Sequence, residues 1–190
     1  MWAPVAGVAR HAVIGPELSD EYRGDQEEYG AEAERVVFRF LESYPGYIEH
    51  RDLRKDSLYM NRQVDFGINI LNRWILAEVK GDSHLGKTGN VLYELRRQIV
   101  SPEGLVRVDD GWSVRSRADC VLFYASSVKR IYWFDMTEYR RGFMRYTAAM
   151  NGQVPVHPCQ LTRGRTAYNC YIPIEYCEHQ VYELNGKRCR

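Results

Sequence analysis

Val64-Asp65-Phe66-Gly67-Ile68 and, a few residues on, Trp74-Ile75-Leu76-Ala77-Glu78-Val79-Lys80-Gly81-Asp82 decide the fold. Both runs are apolar, rich in β-branched and aromatic residues, and short for helices, so they read as adjacent strands. Asn72-Arg73 between them reads as a tight turn, which makes the pair a hairpin with Asp65 in the middle of its first strand. On the second strand Trp74, Leu76, Glu78 and Lys80 share one face, and Ile75, Ala77 and Val79 share the other. Both faces begin apolar, which predicts a central strand covered on both sides. Its C-terminal end nevertheless carries a carboxylate and an ammonium, about 7 Å apart along the strand. With Asp65, three ionisable groups then stand at the rim of a buried sheet, where an unpaired charge is strongly unfavourable.

A divalent metal would account for them. The two carboxylates and the backbone carbonyl of Val79 are hard oxygen ligands of the kind Mg²⁺ or Mn²⁺ accepts beside water and substrate phosphate. A lysine one step beyond the second carboxylate can orient or deprotonate a water, or neutralise charge developing on phosphorus. The pattern Asp65…Glu78-Val79-Lys80 resembles the signature of the PD-(D/E)XK, or restriction-endonuclease-like, nuclease superfamily. Val64 stands where the family's proline would. Glu-x-Lys by itself is common in any chain; its place at the end of an apolar strand, after an Asp on the preceding strand, is what makes it informative. The competing interpretation is an Asp65–Lys80 or Glu78–Lys80 ion pair at a sheet edge.

Composition sets the frame. A chain of 190 residues suits one well-packed α/β domain better than two, and 45% hydrophobic with 27% charged residues is an ordinary globular balance. No apolar run of useful length precedes Arg10-His11, and none approaches the roughly 20 residues a membrane span needs, so neither a secretory signal nor a spanning helix is expected. Five cysteines without a Cys-x-x-Cys suit a reducing cytoplasm. The net charge of +1 decides nothing. Its distribution is uneven, with an acidic block from Glu17 to Glu34 and basic clusters thereafter, among them Arg51, Arg54, Lys55, Arg62, Arg115, Arg117, Arg140 and Arg141. Such clusters can contact phosphates, or simply be a solvated surface.

Residues 1–24, with two prolines and no period, read as an irregular arm, and residues 25–190 as one domain with its core at about 30–135 and a C-terminal elaboration over 136–190. From Asp25 to Tyr44 the spacing of Ala33, Val37, Phe40, Leu41 and Tyr44 predicts a helix that Pro45-Gly46 ends. Gly46 to Asp52 reads as a short strand. After the hairpin, residues 81–90 form a loop, and Val91, Leu92, Leu95 and Ile99 predict a helix capped by Asn90 and ended before Pro102. Residues 101–118 read as an excursion. Ala118–Ser126 predicts another central strand, with a hairpin partner over Ile131–Asp135, then a helix from Met136 to Met150 that Gly142 weakens. Asn169–Tyr176, carrying Pro173, reads as a late edge strand. His157, Cys159, Cys170, Cys177, His179 and Cys189 are zinc-type ligands, but not in the paired spacing of a zinc finger.

The resemblance covers roughly residues 30–135 and implies more than the residues show alone. It implies an α/β fold with a mixed central β-sheet flanked by helices, and a Mg²⁺- or Mn²⁺-dependent nuclease that cleaves DNA. Asp65, Glu78 and the Val79 carbonyl would hold the metal, and Lys80 would position the attacking water or stabilise charge. The segment Gly30–Arg35 resembles the first helix of Holliday-junction-resolvase-like members, in which a Glu four residues after a Gly reaches the metal directly or through water; Glu34 matches. The ordinary role for Glu34 is an acid in the helix's first turn, favoured by the helix dipole. Helices after the Glu-x-Lys strand in such proteins carry a Gln or basic residue on substrate phosphate, which makes Gln98, Arg96 and Arg97 substrate-binding candidates, with Lys87 from the preceding loop. A homodimer is compatible with this reading. Two other classes stay open: a nucleic-acid-binding module that keeps the fold without catalysis, and an interaction protein whose charges are ion pairs.

Overall fold

A 23-residue helix, α1 (Asp20–Glu42), opens the computed structural model, which describes residues 20–162 and 164–184, with side chains from Tyr29 onward. Its stripe is the expected one: Ala33, Val37, Phe40 and Leu41 are completely buried. The helix begins at Asp20, so the arm expected over residues 1–24 is helical in its last five; residues 1–19 lie outside the described residues. At the other end Gly46, at φ +80°, turns the chain, and the side chain of Leu71 fills the space where a Cβ would stand.

The elements that follow are β1 (Tyr47–Asp52), α2 (Ser57–Met60), β2 (Phe66–Ile70), β3 (Arg73–Gly81), α3 (Leu85–Thr88), β4 (Asn90–Val100), β5 (Val106–Asp110) and α4 (Trp112–Arg115). After them come β6 (Cys120–Ala125), β7 (Arg130–Asp135), α5 (Met136–Ala149), β8 (His157–Thr162), β9 (Arg165–Pro173), a 3₁₀ turn (Ile174–Tyr176) and β10 (Gln180–Glu183). Among the described residues they make a six-stranded sheet in the order β1-β2-β3-β6-β7-β10 and a four-stranded sheet in the order β5-β4-β9-β8. β3 and β6 run parallel and the other neighbouring strands antiparallel, so the large sheet is mixed. The β3-to-β6 crossover contains β4 and β5, and the second sheet is built on that excursion.

The fold class is therefore α/β, a mixed sheet flanked by helices, with a second sheet added. α1 covers one face of the large sheet, packing Ala33, Val37, Phe40 and Leu41 on Phe66, Ile68, Ala77, Val79, Leu122 and Tyr124. The other face holds Val121, Phe123, Ala125 and Phe134, which pack with Tyr139 of α5 and with Val91, Tyr93, Cys170 and Ile172 of the second sheet. All six residues of β6 are buried, as a strand covered on both sides requires. No described helix is long and apolar enough to cross a membrane.

Four expectations need correction. The turn between β2 and β3 is Leu71-Asn72, with φ of 52° and 62°, one residue earlier than Asn72-Arg73. Two consecutive left-handed residues match the right-handed twist of a hairpin. Asp65 stands one residue before β2 rather than in its middle, although its N–H still donates to the Ala77 carbonyl at 3.0 Å. Residues 90–100 are a strand, not a helix. A bulge between Glu94 and Arg96 reverses the alternation of β4, and this break in a period of two imitates helical spacing. Finally, the late strand is interior: β9 lies between β4 and β8, with Pro173 at its very end, where no ladder hydrogen bond is lost from its middle.

Gly142 of α5 is set by packing. A Cβ there would lie 2.2 Å from Cys177 Sγ and 3.0 Å from the Tyr176 carbonyl oxygen. Gly142→Ala, which would add about 1 kcal/mol of helix propensity on an open surface, is expected instead to lower stability by about 1–3 kcal/mol through overpacking. Chemical denaturation of the two proteins measures the sign.

Candidate active site

Strand parity and register bring Asp65, Glu78 and Lys80 together. Phe66 pairs with Ala77, and the Asp65 N–H donates to the carbonyl of that same Ala77 at 3.0 Å, which brings Asp65 beside Glu78. Asp65 Oδ2 accepts a hydrogen bond from the Val79 N–H at 3.0 Å, which ties the first carboxylate to the strand that carries the second. Glu78 is buried and shares a face with Lys80, whose Nζ is 2.5 Å from Glu78 Oε1. The other oxygen, Glu78 Oε2, is buried and receives no N–H donor, and Asp65 is the acid close enough to share the Glu78 proton. Val79 points its side chain to the opposite face, into the core under α1.

The electrostatics follow. Burial pushes the Glu78 carboxyl up from its ordinary 4.5 to about 7; Lys80 opposes that rise and Asp65 adds to it. Burial alone would lower the Lys80 ammonium, but the attraction of Glu78 and Asp65 outweighs it and holds the group above its usual range. Lys80 keeps 30% of its side chain exposed, so it bridges the buried carboxyl and solvent.

The second sheet supplies the roof, from residues that sequence reasoning missed. Lys80 Nζ sits 5.2 Å from the centroid of the Trp112 ring. Trp112 is fixed by its backbone N–H, which donates to Glu94 Oε1 at 3.2 Å, and Glu94 also accepts from Arg97 at 2.9 Å. A Cβ on Gly111 would lie 2.1 Å from the Glu94 carbonyl oxygen, so only glycine lets α4 approach β4 this closely. The charge of Glu94 further stabilises the Lys80 ammonium. An acid inside the apolar run Val91–Leu95 was the available signal for Glu94.

The remaining expected residues are dispersed. Glu34 is paired with Arg54, which also holds Asp52 at 2.6 Å and lies over the Phe66 ring. Gln98, Arg96 and Arg97 lie on β4 rather than on a helix. Gln98 Oε1 accepts from the Tyr168 hydroxyl at 2.8 Å, and Arg96 stacks over the Tyr168 ring at 4.7 Å. Lys87 is exposed in the last turn of α3, whose loop is anchored by Asp82 accepting from the His84 and Leu85 N–H groups. Three other basic residues do converge: Arg62, Arg115 and Arg117 line one open cleft with Asn61, Asp110 and Val114. Arg62 and Arg117 flank the segment that enters Asp65, joined by the Arg117 N–H donating to the Arg62 carbonyl at 2.8 Å.

Among the described residues no group of three or more His, Cys, Asp or Glu side chains forms a ready-made cage. Two carboxylates, one with a buried oxygen that receives no N–H donor, still fit a metal that keeps water and phosphate among its ligands. No family model matches the chain, and no curated protein matches it. Among solved structures it is similar to the bacterial homing endonuclease I-Ssp6803I, at 18% identity over 60% of this chain and 70% of that one, with a TM-score of 0.43.

The raised Glu78 carboxyl makes a signed prediction. Below about pH 4.5 both folded and unfolded chains hold that proton. Between about 4.5 and 7 the unfolded chain releases it and the folded chain keeps it, so stability falls as pH rises, and levels off above about 7. The loss is expected to be roughly 3 kcal/mol, and Glu78→Gln should abolish it. Denaturant unfolding of both proteins from pH 4 to 8 isolates the difference.

Proposed function

We propose that this chain is a metal-dependent nuclease that hydrolyses phosphodiester bonds in DNA. The supporting observation is a buried carboxyl, Glu78, on an interior strand, with one oxygen that receives no N–H donor and Asp65 and Lys80 beside it. Asp65, Glu78 and the Val79 carbonyl would hold Mg²⁺ or Mn²⁺, which when bound polarises the phosphate and acidifies a water. Glu78 must give up its proton to serve as a ligand. Lys80, held protonated by its neighbours, acts as a hydrogen-bond donor that orients the water and meets charge developing on phosphorus, rather than as a base. Glu34 can assist only after leaving Arg54. The Arg62–Arg115–Arg117 cleft offers a track for the DNA backbone, beside which Arg96, Arg97, Gln98 and Lys87 are peripheral contacts.

The Glu78–Lys80 contact also favours a second reading, a buried ion pair on an interaction domain without catalysis. The two make opposite predictions. For a nuclease, Asp65→Ala, Glu78→Ala and Lys80→Ala each reduce metal-dependent cleavage at least about a hundredfold, measured at a temperature where each variant is still folded. For a structural pair, Lys80→Ala and Glu78→Ala each cost about 3–5 kcal/mol, and no substrate is cut. Labelled duplex, single-stranded and branched DNA, with RNA as control, assayed in Mg²⁺, Mn²⁺ or chelator, decide between them.

The basic cleft carries its own prediction. Replacing Arg62, Arg115 and Arg117 together by alanine should weaken DNA binding and make the salt slope shallower by about two to three phosphate contacts. Anisotropy titrations at several salt concentrations measure both. A slope unchanged by the substitutions removes the cleft from the DNA path.

A further inference from the structure

The free edge of the second sheet is a self-complementary strand. β5 ends the order β5-β4-β9-β8, so among the described residues it is paired on one side only. Leu105, Val106 and Val108 are 73%, 60% and 58% exposed, unusual for a strand whose edge is open to water. Which backbone groups face out follows from the ladder. The Ser101 N–H donates to the Leu105 carbonyl and the Gly111 N–H to the Leu95 carbonyl. With the β4–β5 register, these make Arg97–Asp109 and Ile99–Arg107 the hydrogen-bonded pairs. Val106, Val108 and Asp110 therefore direct their N–H and C=O groups away from β4.

We infer that β5 pairs antiparallel with β5 of a second copy of this chain, about a two-fold axis at Val108. The two-fold registers that engage more than one outward-facing residue of β5 in each copy are three, centred on Arg107, Val108 or Asp109. The first sets Arg107 opposite Arg107, and the last sets Asp109 opposite Asp109; like charges directly opposed are unfavourable. The register centred on Val108 sets Arg107 of each copy opposite Asp109 of the other, and joins Val108 to Val108 and Val106 to Asp110 through the outward hydrogen-bonding groups. Within one chain Arg107 Nη2 already lies 2.8 Å from Asp109 Oδ2, so both charges stand on the face where the cross-strand pairs form. On the opposite face Val108 meets its counterpart, with Val106 of each copy diagonal to it. The two four-stranded sheets become one of eight strands, and the strand edge is removed by pairing. This inference does not depend on the nuclease reading.

Sedimentation equilibrium of the full chain tests it with a charge exchange. The wild type is expected to dimerise at micromolar to tens-of-micromolar concentration. Arg107→Asp, at a side chain 70% exposed and so harmless to the fold, sets carboxylate against carboxylate in both cross-strand pairs and should weaken the dimer at least about tenfold. Asp109→Arg should do the same, and the double variant should recover dimerisation because each pair is merely reversed. Thermal melts confirm that the monomers stay folded. A wild type monomeric to ~100 µM, or a dimer that Arg107→Asp leaves intact, overturns the inference.

Discussion

The burial of one carboxyl, Glu78, on the central hairpin constrains much of what surrounds it. A carboxylate in the middle of a covered sheet is unfavourable unless charge or a proton compensates it. Here the compensation comes from both: Lys80 lies 2.5 Å away, and the carboxyl is pushed up to about 7. The lysine in turn needs an escape route for its head group, and it has one, with part of its side chain exposed and its ammonium against the Trp112 ring. Trp112 is placed by Glu94, and Glu94 by β4. The second sheet is therefore tied electrostatically to the first as well as packed against it.

That coupling explains which parts of the fold could be read from sequence. α1 and α5 keep the helical period of 3.6, and β6 is a continuous apolar run, so Ala33–Leu41 and Cys120–Ala125 announce themselves. β4 does not, because its bulge at Glu94 and Arg96 changes phase in mid-strand. Pro173 points to an edge position for β9, yet it costs nothing inside the sheet because the strand ends at that residue. Gly142 counts against a helix locally, and only the distant Cys177 shows why it is there.

The candidate site divides in the same way. Asp65, Glu78 and Lys80 are legible together because their meeting depends only on hairpin register and strand parity. Glu34 sits on the predicted helix, but its partner Arg54 comes from a loop whose path no periodicity encodes. Arg62, Arg115 and Arg117 belong to two segments separated by about fifty residues, joined by the Arg62–Arg117 backbone hydrogen bond and the Ser116 hydroxyl donating to the Gln63 carbonyl. The helix expected to carry Arg96, Arg97 and Gln98 does not form, and their actual neighbours are Tyr168 of the paired strand β9 and, across the bulge, Glu94 of β4 itself.

The three charged residues can support either an ion pair or a metal, and the difference lies in how many positive charges the cavity needs. As a metal-free pair, Asp65 and Glu78 face one lysine, and burial above all, with Asp65 adding to it, keeps the Glu78 proton in place up to about pH 7. The second acid, Asp65, raises the electrostatic cost of the arrangement, while its Oδ2 accepts from the Val79 N–H. Under the nuclease proposal a divalent cation would be held by Asp65, Glu78 and the Val79 carbonyl, with Glu78 ionised and Lys80 available to a phosphate. The second acid is what distinguishes the two: a metal site would use it as a ligand, whereas an ion pair uses it only as the acceptor of the Val79 N–H.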